Sequence, residues 1–232
     1  MYNGLQVKFD KRYSGGFLLT TAYTFARGMS FQQGDDGGVM YYINFRRNYA
    51  RTDFDRRHTF NQSYIYELPF GKGKRWLNNG AVATAFGNWR VNGILTLMSG
   101  SPVNITYSAS SLNAPGNQNS PNQIAEVTYA KGINTGNEWF SRASFAVPAA
   151  NTFGSVGRNS ISGPRFFNLD ASLFRIIRMT ERFNLEIRAE SFGLTNTPQF
   201  SNPGGTLGNA NFGYVTGAGG GRTLQLGLKL NF

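Results

Sequence analysis

The chain has 232 residues, no cysteine, 29 Gly, 20 Phe, 11 Tyr and a formal net charge of +11. The absence of cysteine excludes disulfides, thiolate metal sites and cysteine nucleophiles, and no run of about 18 apolar residues is present to cross a membrane as a helix. Charged residues and aromatics each make up 15%, a balance that suits strands with aromatic girdles and Gly-rich turns rather than a soluble helical protein. The basic residues are dispersed, the densest clusters being pairs such as Arg46-Arg47 and Arg56-Arg57. That pattern points to loop and lumen chemistry before nucleic acid. The length allows one large all-β domain or two smaller ones.

Taken in chain order, Tyr2 to Asp10 alternates Leu5, Val7 and Phe9 with Gln6, Lys8 and Asp10, as a two-faced strand does. Lys11 to Gly16 reads as a tight turn. Phe17 to Phe25 follows, with Phe17, Leu19, Thr21, Tyr23 and Phe25 on one face, and completes a hairpin. Residues 27–55 form a long polar loop that leaves room for a little strand. Arg57 to Leu68 places Phe60, Gln62, Tyr64, Tyr66 and Leu68 together, and Pro69 ends that strand because it cannot donate to a ladder. Residues 71–88 are a connection of middle length.

Trp89 to Ser99 aligns Trp89, Val91, Gly93, Leu95 and Leu97, and Pro102 to Tyr107 reads as its extension beyond the membrane. Residues 108–165, rich in Asn, Ser, Gly and Pro, are the longest irregular stretch. A loop of that length is unusual in a compact soluble domain and ordinary outside a barrel. Phe166 to Arg175 sets Phe167, Leu169, Ala171 and Leu173 against Asn168, Asp170 and Ser172. After a turn near Arg178 to Glu181, Phe183, Leu185, Ile187 and Ala189 alternate with Asn184, Glu186, Arg188 and Glu190. A Gly-, Asn- and Pro-rich loop from about Gly193 to Gly221 precedes the last strand, Arg222 to Phe232. There Leu224, Leu226, Leu228, Leu230 and Phe232 share one face.

Seven strands result, with connections alternating short, long, medium, long, short and long. The fold expected is therefore an antiparallel up-and-down transmembrane β-barrel. It is incomplete: seven strands leave two open edges, which lipid does not tolerate, and the N-terminus has no signal-peptide pattern. Residues 1–232 are expected to be the C-terminal portion of one barrel domain, without its plug and N-terminal strands. The last strand should pair with the Arg182–Phe192 strand and have a free second edge.

Candidate sites follow from the same pattern. Leu224, Leu226, Leu228, Leu230 and Phe232 look like a signal for barrel-assembly machinery rather than an amphipathic edge strand of a soluble sheet. Asn184, Glu186, Arg188 and Glu190 read as a polar ladder lining the lumen. Glu186 and Glu190 are four strand residues, about 13 Å, apart, too far for a glycosidase pair unless the side chains lean together. His58, the only histidine, lacks partners for a metal or a triad. Asp35-Asp36 and Asp53-x-Asp55 do not fit an EF-hand and read as solvated loop charges. Gly217 to Gly221 lacks the Lys-Ser/Thr of a phosphate loop. No catalytic, cofactor or metal residue is expected, and no nucleic-acid partner.

Several ordered motifs carry a family resemblance: Asp55-Arg-Arg-His-Thr-Phe60, Leu68-Pro-Phe-Gly-Lys-Gly73, Asn88-Trp-Arg-Val-Asn-Gly93 with Ser99-Gly-Ser-Pro102, Gly157-Arg-Asn-Ser160 with Gly163-Pro164, Arg188-Ala-Glu-Ser-Phe192 with Asn196-Thr-Pro198, and Leu226 to Phe232. The chain resembles the C-terminal part of TonB-dependent outer-membrane receptors of the Oar-like group, which carry a carboxypeptidase-regulatory-like N-terminal domain. The resemblance implies a plugged barrel of about 22 strands. It also implies uptake of a bulky nutrient, driven by an inner-membrane energy-transducing complex that contacts an N-terminal box absent here. This chain alone should transport nothing. The alternative is a soluble all-β module binding carbohydrate or nucleic acid through Arg and Tyr. In that case Leu226, Leu228 and Ile187 would be buried between two sheets.

Overall fold

In the computed structural model, which describes residues 1–32, 34, 38–39, 41–107, 119–133 and 136–232, seven long strands form one sheet. They are β1 (Tyr2–Ser14), β2 (Phe17–Ser30), β3 (His58–Glu67), β4 (Trp89–Met98), β5 (Phe166–Arg178), β6 (Asn184–Phe192) and β7 (Thr223–Asn231). Their spatial order is their chain order, and every neighbouring pair is antiparallel. β7 pairs with β6 from Phe192↔Thr223 to Asn184↔Asn231. Among the described residues neither β7 nor β1 has a second partner, so both sheet edges are open.

Two strands run longer than the alternation suggests. β1 continues to Ser14, so the turn is only Gly15-Gly16, both at positive φ. β2 continues to Ser30, where Met29 and Ser30 pair with Arg51 and Ala50 and the Met29 amide donates to the Met1 carbonyl. Residues 102–107 do not extend β4. Pro102–Val103 pairs with Ile161–Ser162, and Thr106–Tyr107 runs parallel to Thr206–Leu207. The 3₁₀ turn Phe45–Asn48 and the helix α1 (Gly80–Phe86) lie inside connections read as irregular.

The three long connections all leave one end of the sheet and the three shorter ones the other. The buried apolar core is not between strands but in the long connections. Val103, Ile105, Phe140, Phe145, Val156, Ile161 and Phe212 form it. Phe140, Phe145 and Phe212 meet edge to face with centroids 5.3–5.8 Å apart, the geometry that ring quadrupoles favour.

Candidate functional site

The strand register assembles every apolar stripe on one side. Leu5–Phe25–His58, Val7–Tyr23–Phe60–Leu97–Phe167 and Phe17–Tyr66–Val91–Leu173–Ala189–Leu226 are successive rows across the sheet. Thr21 and Gln62, opposite each other, interrupt the face. Aromatic residues gather at its two ends, Tyr23, Phe25, Phe60 and Phe167 towards the long loops and Phe17, Tyr66, Trp89, Phe183 and Phe232 towards the short turns. In the middle the Tyr64 ring lies across Gly93, where a Cβ would come within 2.7 Å of the tyrosine hydroxyl.

This face is bare. Leu226 is 84% exposed and Phe232 95%, and Leu224, Leu228, Leu230, Leu5, Val7 and Phe9 are exposed too. Leu226 and Leu228 are not buried between sheets, so the soluble binding-module expectation fails: an apolar surface this continuous does not stay in water. Arg175 belongs to the same stripe, opposite Ile187 and Trp89. It is nonetheless buried, donating to the Thr84 carbonyl of α1 with its guanidinium 5.9 Å from the Trp89 ring. The helix thus shelters a charge that would otherwise interrupt the apolar face.

The opposite face is mainly polar, interrupted by Leu18, Ile65, Ile94, Phe174 and Ile176. Asn184, Glu186, Arg188 and Glu190 lie in one file on β6, with Lys229 opposite Glu186 and Gln225 opposite Glu190. Arg188 bridges both carboxylates, donating to Glu186 Oε1 through Nε at 2.9 Å and to Glu190 Oε1 through Nη1 at 3.4 Å. The two acids are held by a cation between them and are not an acid–base pair. His58 Nδ1 shares a hydrogen bond of 2.8 Å with the Tyr23 hydroxyl and packs 5.1 Å from the Phe25 ring. No group of three or more metal-ligating side chains is found among the described residues.

Asp53 and Asp55 are not solvated loop charges, contrary to expectation. Asp55 is buried and its Oδ1 accepts the Gly28 amide at 2.8 Å. Asp53 accepts from the Gly34 amide, from Asn159 and from Arg158. Asp35 and Asp36 lie outside the described residues. Ala218–Gly219 pairs with Gln199–Phe200, so the Gly217–Gly221 run is partly sheet.

The motifs turn out to be staples of the long-loop end. Arg51 and Asn159 bind each other's carbonyls, Arg51 Nε to Asn159 O at 2.9 Å and Asn159 Nδ2 to Arg51 O at 2.8 Å. Arg158 reaches the Ser30 carbonyl at 2.8 Å and Arg56 the Ser99 carbonyl at 2.7 Å. Burial pushes the Arg158 guanidinium below its usual value, opposed by Asp53. Gly100 and Gly163 touch so closely that a Cβ on Gly100 would fall 1.8 Å from the Gly163 carbonyl oxygen. Asn196, at φ 50°, accepts the Arg222 amide at 3.1 Å and fixes the entry to β7. At the other end Gly71 has φ +113° and abuts Gly87. Periodicity carries no trace of these links, because they join residues up to 128 positions apart.

Among known proteins, a family model described as an outer membrane beta barrel domain matches residues 1–225. No curated protein and no solved structure matches. Seven antiparallel strands with one bare apolar face and one polar face are what such a domain requires. The chain belongs to the outer membrane beta barrel domain family and is a protein of the outer membrane.

Proposed function

We propose that the chain is the C-terminal part of the barrel of an Oar-like TonB-dependent receptor that takes up a bulky substrate across the outer membrane. The observation that carries this reading is the pair of open edges on β1 and β7. Unpaired backbone N–H and C=O groups cost several kcal/mol each in hydrocarbon, so other strands must cover them. A larger barrel, with N-terminal strands and a plug, supplies such strands in the receptor group that the motifs resemble. In that barrel the apolar face meets lipid. The polar face, including Asn184, Glu186, Arg188 and Glu190, lines the lumen. Leu224, Leu226, Leu228, Leu230 and Phe232 are what the assembly machinery reads. The energy-transducing complex acts through the N-terminal part, so this chain alone transports nothing. It is not an enzyme and binds no nucleic acid.

The test is uptake by cells expressing the whole reading frame, with the energy-transducing complex present or deleted. Substrate accumulation that collapses on deletion supports the proposal. Uptake that is unchanged, and that a protonophore also leaves unchanged, describes a passive pore and removes the receptor reading.

A further inference from the structure

A strongly basic cavity sits where the apolar face meets the long loops. Its volume is about 520 Å³, and Arg27, Arg47, Arg51, Arg57, Arg158 and His58 line it. Five guanidiniums gather there, while the carboxylates nearby are Asp53 and Asp55. Asp53 is taken by Arg158 and Asn159, and Asp55 holds the Gly28 amide. Arg47 and Arg51 spend donors on neutral oxygens, Arg47 on the Gly154 carbonyl and Arg51 on the Asn159 and Ile161 carbonyls and the Ser162 hydroxyl. The Arg27 and Arg57 residues are exposed, and their guanidiniums have no hydrogen-bond or ion-pair partner among the described residues. Burial depresses the Arg51 guanidinium, Asp55 opposes this, and Arg57 and Arg27 add to the depression. The cavity therefore has an excess of positive charge with donors to spare.

Its place in the fold narrows the ligand. Leu5 faces Phe25, Asn3 faces Arg27, and Arg51 faces Met29, so the arginines continue the apolar stripe beyond its aromatic end. Phe25 and His58 close the stripe just below, their rings 5.1 Å apart. One strand pair rises about 6.5 Å per two residues, which puts Arg27 directly above the hydrocarbon boundary, at the depth of lipid headgroups. Guanidiniums bind phosphate oxygens in a fork geometry, and a phosphate monoester brings nearly two negative charges and three acceptor oxygens to a site with several cations.

We propose that Arg27, Arg51 and Arg57 form a binding site for a phosphate monoester at the outer rim of the barrel, with Arg51 as its fixed floor and Arg27 and Arg57 closing on the anion. The phosphate of an outer-leaflet lipid headgroup is the source that this depth favours; a free phosphorylated solute offers the same chemistry.

The protein purified from outer membranes, placed in nanodiscs containing diphosphoryl or dephosphorylated lipid A, separates the sources by native mass spectrometry. Retention of the diphosphoryl lipid alone supports the site and its lipid source. Retention should weaken at least about tenfold in R27Q/R57Q and by less in R27K/R57K, which keeps the charge and loses the fork. An inorganic phosphate adduct that is lost in R27Q/R57Q, with neither lipid retained, supports the site and assigns it to a soluble phosphate; neither lipid nor phosphate retained overturns the proposal. Equal retention of both lipids, or diphosphoryl lipid binding untouched by R27Q/R57Q, overturns the proposal. Because the phosphate dependence is read on the unaltered protein, a variant that fails to fold does not block the test.

Discussion

Arg158 and Arg188 both pair with carboxylates, but only Arg158 is buried. Its side chain is 1% exposed against 46% for Arg188. Arg158→Met removes the cation from Asp53, leaving it the Gly34 amide and Asn159, and takes a donor from the Ser30 carbonyl, at a cost of roughly 1–3 kcal/mol. Arg188→Met should cost less than about 1 kcal/mol. Urea midpoints in micelles measure both, and equal midpoints would refute the assignment of Arg158 as a staple. Gly71 offers a second comparison. Gly71→Ala meets both a φ of +113° and a Gly87 Cα 2.7 Å from the new Cβ, for roughly 1–3 kcal/mol. Gly73→Ala has φ +76° and nothing within 4 Å, so it carries the backbone penalty alone and should cost less, about 1 kcal/mol. The resemblance motifs were legible as strings. Their chemistry was not, because Asp55, Arg56, Arg158 and Asn159 acquire partners only when segments far apart in sequence meet.

The strands were the most legible elements, since each separates two environments and so writes a period of two into its sequence. All seven were found, and among the described residues the terminal strand pairs with β6 alone, as expected. The misses have physical causes. β2 runs on past Phe25 where alternation stops, because the Ala50–Arg51 segment and Met1 supply its hydrogen bonds. α1 has no side-chain cap at Asn79 and only seven residues; it gains its place by covering Arg175, 91 residues away from Thr84. The element-scale prediction uses the two faces of β7. Leu228 sits mid-stripe opposite Ile187, so Leu228→Arg should cost about 2–4 kcal/mol and lower assembly yield. Gln225→Arg, on the polar face, should leave folded yield, read as heat-modifiable mobility, unchanged. The reverse ranking would assign the faces the other way round.

At the scale of the whole molecule, the sheet and the loop layer solve different problems. The layer buries its own aromatic core, whereas the sheet leaves its apolar face bare and both edges open among the described residues. What covers the open edges can be tested with paired cysteines, because the chain has none of its own. Ala189 and Leu226 are register partners, and antiparallel partners have Cα atoms about 4.5–5.5 Å apart, within disulfide reach. A189C/L226C should therefore crosslink in membranes and report native pairing of β6 with β7. L5C/L226C joins the two edges, which the sheet keeps five strands apart, and should stay reduced under the same oxidant. A crosslink within one chain would mean that seven strands curl into a small closed barrel, and the larger-barrel reading would fall. A crosslink between chains would mean that a second copy covers the edge, with the same consequence. Reduced L5C/L226C beside oxidised A189C/L226C leaves other strands of a larger barrel as the cover.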